Sequence, residues 1–321
     1  MRKALQFDIC GHRLFGTLHD RNSTLDTKNQ NNSRRIGVLL LSFGQQPRSW
    51  VGDLGSSIAD RLDVHGYPAF RFDMPGLGDS PGEIPVHLEE LWQDILLGAH
   101  EGPLHELCDV LASKYSLEGF VVGGFCGGAV TALFAINARS PLMLGLVLLE
   151  PEMAVVKIHS VTITRAPLTV DAYHESTDLV LKRLTSFDSW RRLFSGKADF
   201  KFWATHWYSL LDYTARKVNA LGRNKINLPQ ETNHRMLSSW QLARRLRIPT
   251  LVVSVGSINR SKYYRAYGLE PGIADIKGKF KWIEIPNTTH AMLTGGAKDI
   301  LGKEVVSWIS ATFPQKVTQS S

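Results

Sequence analysis

The chain has 321 residues, 43% hydrophobic and 21% charged, with a formal charge of +7 and an isoelectric point near 9.3. That length can bury a large core, either as one domain or as one domain carrying an inserted subdomain, and apolar segments spread along it exclude wholesale disorder. No apolar run reaches the about 18–20 residues that a spanning helix needs. The basic residues are scattered, so nothing beyond charge points to nucleic acid.

The three cysteines, Cys10, Cys108 and Cys126, are widely spaced and odd in number. They form no zinc pattern and no disulfide framework, and they fit a reducing compartment. The opening MRKALQFDIC lacks the continuous apolar core of a secretory signal. The expectation is a cytoplasmic protein with no membrane span, metal or cofactor.

Residues 2–9 and 12–19 alternate and predict two short strands around Cys10-Gly11, and the Asn-rich stretch 20–35 predicts a surface loop. IGVLLLSFG, 36–44, is a continuous apolar run, as in a strand buried on both faces. A helix is expected over 51–64, then, in PAFRFDMPGLGDSPGE over 68–83, a strand that runs into a Pro/Gly loop. Helical pattern covers 88–116, with a break expected near Gly102-Pro103. A strand ends at Phe125, a helix follows over 128–138, and 142–151 is another buried strand. Strand signals then vanish until 248–256 and 280–286, and a last helix is expected over 296–312. Strands alternating with helices imply a mainly parallel sheet covered on both faces. The predicted organisation is a core over 1–151, a helical cap inserted at 152–245, and the rest of the core over 246–321.

In such a sheet, ligands bind at the carboxyl ends of the strands. Gly124-Phe125-Cys126-Gly127-Gly128 follows a strand and opens a helix, with the spacing Gly-x-nucleophile-x-Gly. A cysteine among glycines can be buried filler, with the glycines easing helix–strand contact. The agreement of strand, turn and helix favours the other reading, a nucleophile raised on a tight turn at a helix amino terminus, a setting that favours the thiolate. The amide of Gly127 is then an oxyanion donor. His290, in PNTTHAML between the last strand and the last helix, is the candidate base. The turn after IGVLLLSFG offers the amide of Gln45 as a second oxyanion donor, an ordinary polar turn being the competing reading.

These motifs together resemble the α/β-hydrolase superfamily: FGQQ after the third strand, DMPGLGDSPG after the fourth, GGFCGG after the fifth and THAM after the last. The resemblance implies a structural rather than catalytic role for Asp73 and Asp79. Within the superfamily the chain is similar to the exosortase A system-associated hydrolases, through the cysteine elbow, FRFDMPGLGDSPG and SWRRLFSGKADF. That likeness implies acyl transfer in general.

The pattern breaks at the acid. The superfamily carries an Asp after the strand that here is TLVVSVG, but the chain continues SINRSKYYRAYG, with Asn259 at about the expected place. An Asn can orient an imidazole without supplying charge. The alternative is Glu150, ending LGLVLLE, where the haloalkane dehalogenases, which the chain resembles in this, place their acid. Glu150 could instead be a hinge carboxylate, and Glu152 is a more distant candidate. Cys108, on a helix face, is expected to pack.

The function expected is a cysteine-dependent acyl hydrolase or acyltransferase, thioesterase-like, working through an acyl-S-enzyme. Its substrate would be a small acyl compound, and the positive charge would suit one carried on CoA or an acyl-carrier protein. Two alternatives stand beside it: a lactone hydrolase of the dienelactone type, and a non-catalytic binding protein of the same fold.

Overall fold

The computed structural model describes residues 2–21, 35–42, 46–152, 233–255, 280–293 and 296–315. Eight strands form one sheet: β1 (Arg2–Ile9), β2 (His12–His19), β3 (Arg35–Leu41), β4 (Ala69–Phe72), β5 (Leu117–Phe125), β6 (Met143–Leu149), β7 (Thr250–Val255) and β8 (Phe280–Ile285). Their order across the sheet is β1-β2-β4-β3-β5-β6-β7-β8. β1 and β2 form an antiparallel hairpin that joins β4 antiparallel; every later pairing is parallel. From β3 the chain moves outward to β4, then returns past β3 to β5. In sheets of this kind ligands bind at such a reversal, at the carboxyl ends of the two strands that flank it, here β3 and β5.

The described helices are α1 (Leu54–Val64), α2 (Leu88–Leu97), α3 (Glu101–Tyr115), α4 (Gly127–Phe134), α5 (His234–Leu246) and α6 (Ala297–Thr312). They lie on both faces. Along the central strands alternate residues enter different cores: Leu39, Leu41, Val122, Leu146 and Leu148 pack with α2–α5. Val38, Leu40, Val121, Val147, Leu149 and Val253 pack with α1 and α6. Both faces of the central strands are therefore buried, which is why they read as unbroken apolar runs rather than alternating ones. Burying each such side chain fully stabilises the fold by about 1.5–3 kcal/mol before conformational entropy is counted.

Two boundaries differ from the sequence expectation. The helical pattern of 88–116 breaks at Gly98, which caps α2 in the left-handed region at φ 92°, and not at Gly102-Pro103. Gly102 and Pro103 lie in the first turn of α3, where proline's missing N–H costs no helical hydrogen bond. The helix expected over 128–138 ends at Phe134, and the chain after it runs in turns. The expected cap over 152–245 falls mostly outside the described residues. Its final part is α5, whose Trp240 and Ala243 belong to the same buried cluster as α4. Among the described residues no helix is long and apolar enough to cross a membrane.

Candidate active site

Cys126 stands between β5 and α4 as the residue that caps the helix, at φ 53° and ψ −115°. Few residues other than glycine hold a positive φ, and where one does, the surroundings must enforce it. Here they do so from both sides. The Cys126 N–H donates to the Leu149 carbonyl at 2.8 Å, continuing the ladder with β6, while the Cys126 carbonyl already accepts from the Ala129 and Val130 amides of α4. The chain therefore turns from strand to helix within one residue.

The flanking glycines make room for that turn. A Cβ on Gly124 would overlap the backbone of Gly128, and a Cβ on Gly128 would overlap the Ser42 carbonyl oxygen beyond β3. The amide of Gly127 opens α4, at a position without an intrahelical acceptor. Cys126 is 4% exposed.

Glu150 ends β6 one strand away, fully buried and also left-handed at φ 45°. Its amide donates to the Val253 carbonyl at 2.8 Å, and its Oε1 accepts from the Val255 amide at 2.5 Å. The carboxylate is thus gripped by the end of β7. Its other oxygen, Oε2, lies 3.3 Å from Nδ1 of His290. A carboxylate can only accept, so Nδ1 carries the proton and Nε2 is left as the basic nitrogen.

His290 is in the loop after β8, on a stretch with left-handed residues at Asn287 and Met292. Its ring meets the Phe125 ring edge to face, with centroids 5.3 Å apart. Phe125 immediately precedes Cys126, so the imidazole stands beside the turn that carries the thiol. Of the sequence candidates, the fold gathers Cys126, Gly127, Glu150 and His290 at one end of the sheet. Gln45 and Asn259 lie outside the described residues.

The loop after β4 is bonded to Arg48 through both aspartates. Asp73 is fully buried; its Oδ1 accepts from the Arg48 amide at 2.5 Å, and its Oδ2 pairs with the Arg48 guanidinium. The same guanidinium reaches Asp79 at 2.7 Å and Thr17 Oγ1 at 3.1 Å. Arg71 of β4 also holds the Arg48 backbone, its Nη1 donating to the Arg48 carbonyl at 2.9 Å. Behind Arg71, its Nε donates to His19 Nε2 at 3.0 Å, and His19 Nδ1 faces Asp60 Oδ1 at 2.8 Å. Arginine can only donate, so Nε2 of His19 must accept and its proton sits on Nδ1.

The sequence reading missed Arg48, Arg71, His19, Trp50 and Phe125. A visible signal existed for Arg71, an arginine inside the apolar run AFRF. Among the described residues no group of three or more His, Cys, Asp or Glu could hold a metal ion.

No family model matches the chain. No curated protein matches it in sequence. Solved structures do resemble it. DcsB, in complex with its substrate analogue, is 12% identical, with 97% of this chain and 100% of that chain covered and a TM-score of 0.54. The thermophilic esterase from Thermogutta terrifontis, malate bound, is 13% identical over 97% of this chain and 99% of that chain, with a TM-score of 0.52. The dienelactone hydrolase from Anabaena variabilis ATCC 29413 is 12% identical over 97% of each chain, also with a TM-score of 0.52. Identity this low speaks to architecture alone, and together with the strand order it establishes that the chain has the α/β-hydrolase fold.

Proposed function

We propose that the chain is a cysteine-dependent acyl hydrolase or acyltransferase, with Cys126 as nucleophile, His290 as base and Glu150 as the acid that orients His290. The observation that carries this reading is the buried Glu150 carboxylate, gripped by the Val255 amide and facing His290 Nδ1 at 3.3 Å, beside the turn that holds Cys126. A carboxylate in that position both selects the tautomer and stabilises the imidazolium.

In the first half-reaction the Cys126 thiol passes its proton to His290 Nε2, and the sulfur attacks the carbonyl carbon of an ester or thioester. The carbonyl oxygen takes the electron pair and is stabilised by the Gly127 amide at the start of α4, with Gln45 as the second donor. The tetrahedral species collapses, the bond to the leaving group breaks, and His290 returns the proton to the departing alkoxide or thiolate. In the second half-reaction water or another nucleophile gives a proton to His290 and attacks the acyl-S-enzyme; the bond to sulfur breaks, and the expelled Cys126 thiolate takes the proton back from His290. The formal charge of +7 suits an acyl group delivered on CoA or an acidic carrier protein. The structural neighbours whose names are an esterase and a dienelactone hydrolase support hydrolytic chemistry on this fold. The empty acid position in TLVVSVGSINRSK is the argument for a non-catalytic binding protein; the placement of Glu150 beside His290 supports the catalytic reading instead.

The test is intact-mass spectrometry after incubation with a panel of acyl thioesters, p-nitrophenyl esters and a small lactone. An acyl-sized mass gain on the Cys126 peptide is expected, absent from Cys126→Ala. Its formation should slow by about 10²–10⁴-fold in His290→Ala. Turnover of the lactone without turnover of thioesters would move the assignment to the dienelactone type. No adduct, no turnover and an ordinary alkylation rate for Cys126 would sink the catalytic reading.

A further inference from the structure

We propose that Trp50 and Phe125 are positioning residues, an aromatic column that fixes the ring plane of His290 relative to the Cys126 sulfur. The proposal rests on the catalytic reading of that cysteine and histidine. Glu150 faces the imidazole at Nδ1, 3.3 Å away. A hydrogen bond at one ring nitrogen does not by itself set a ring plane, because rotation about the terminal sp³–sp² bond of histidine is soft. The plane matters, since Nε2 must point at the thiol and then at the leaving group.

The second constraint is Phe125. Its ring meets the imidazole at an interplanar angle of 71° with centroids 5.3 Å apart, an edge-to-face arrangement. Phe125 is bonded directly to Cys126, so the surface that orients the base and the atom that attacks belong to the same turn. Phe125 is backed in turn by Trp50, with centroids 6.0 Å apart and an angle of 62°. Trp50 is anchored at its far end, where its indole N–H donates to the Leu41 carbonyl at the end of β3 at 2.8 Å. The column therefore ties together β3, the cysteine turn and the histidine loop. Trp50 and Phe125 are both buried, 3% and 1% exposed.

The backbone of Trp50 is an independent observation. It sits at φ 61° and ψ 172°, in a region that is close to glycine-only. A bulky residue in that region is a genuine outlier, held by its surroundings. What holds it is the seating of the indole, with Gly55 beneath; a Cβ on Gly55 would come within 2.8 Å of the Trp50 ring. Sites that store backbone strain are drawn disproportionately from functional regions.

The experiment uses the full chain with Cys10→Ser, so that Cys126 is the thiol followed. Two rates are measured from pH 5 to 9: alkylation of Cys126 by iodoacetamide, and acylation by p-nitrophenyl acetate. In the parent protein alkylation is expected to persist well below the pH at which a free thiol loses reactivity, about 8.5. Phe125→Leu keeps an apolar side chain of similar size. It should move the alkylation midpoint towards that of a free thiol and slow acylation at least tenfold, with an unchanged circular dichroism spectrum. Trp50→Ala should act in the same direction, and Trp50→Phe, which restores a ring, should recover most of its loss. Phe125→Leu within threefold of the parent for both rates at every pH overturns the column. So does Trp50→Ala within threefold of the parent for both rates, which would mean that nothing behind Phe125 is needed to hold the imidazole. A parent profile that His290→Ala leaves unchanged instead removes the cysteine–histidine reading itself, and the two failures are thereby told apart.

Discussion

Cys10 and Cys126 each follow a strand, each precede a glycine and each take a left-handed φ, 48° and 53°. At the β1–β2 hairpin, Cys10 and Gly11 are the two turn residues, and positive φ at both matches the twist of the paired strands. The glycine there serves torsion: Gly11 has φ 76° and nothing within 4 Å of a Cβ built on it. At the β5–α4 turn the glycines serve space. Neither Gly124 nor Gly128 is among the positive-φ residues, and each presses backbone on backbone. The thiols differ accordingly. Cys10 is exposed, and its Sγ lies 2.8 Å from Glu106 Oε2, a carboxylate that raises the thiol's pKa chiefly through that hydrogen bond. Cys126 is buried at a helix amino terminus with an imidazole close by. A Cys-Gly turn is thus no signature of reactivity; what surrounds the sulfur decides.

The sharpest way to break this contrast is to add one methyl at each turn. In Gly128→Ala the new carbon overlaps the Ser42 carbonyl, and no side-chain rotation can relieve a clash between two backbones. The end of β3 and the start of α4 must separate, and a loss of about 3 kcal/mol or more is expected. Gly11→Ala adds only the torsional cost of a left-handed alanine, about 1–2 kcal/mol. Urea unfolding at pH 7 compares the two. Equal losses would mean that both glycines serve the same purpose.

Next in size is a pH effect that bounds any reactivity profile taken in acid. His100, which caps α3, has its pKa lowered to about 4, foremost by burial. His19, fully buried between Asp60 and Arg71, is lowered as well, again chiefly by burial, with Arg2 also in its field. The sign follows from proton binding. Above the ordinary histidine pKa of about 6.5 both rings are neutral, folded or unfolded. Below it the unfolded chain takes up protons that the folded chain refuses, so stability falls as pH falls. For His100 the loss is spread between about pH 6.5 and 4 and amounts to about 3 kcal/mol. His100→Gln should flatten that limb by a similar amount in urea unfolding at pH 7, 5.5 and 4. An unaltered limb would move the acid sensitivity to His19 and its neighbours.

How far the sequence carried these conclusions depended on the kind of interaction. The central strands and the Gly-x-Cys-x-Gly turn were legible because burial on both faces and backbone crowding act through local residue types. Glu150 was legible as a candidate because it ends an apolar run, but only the parallel pairing of β6 with β7 shows its Oε1 taking the Val255 amide. The α2–α3 break was misplaced because a left-handed Gly98 cap outweighed a proline that the first turn of a helix accepts. Trp50 was not legible at all. Its importance lies in contacts with Leu41 and Phe125, and the second of these is 75 residues away, so no window of sequence contains both.

The smallest effect addresses the contrast most directly. Glu106→Gln keeps an acceptor beside Cys10 but removes the negative charge that disfavours a thiolate there. Because that carboxylate raises the Cys10 pKa, its removal should lower the pKa and speed alkylation of Cys10 at pH 8. Glu106 is exposed, so stability should stay within about 0.5 kcal/mol of the parent. Cys126 in the same sample serves as the internal reference and should alkylate at its parental rate, since Glu106 contacts the hairpin and not the elbow. Peptide mapping after timed iodoacetamide exposure reads both thiols at once. A Cys10 rate that does not rise would mean that Glu106 is not what quiets this turn. The difference between the two cysteines would then have to come wholly from the elbow's side, from the helix terminus and His290.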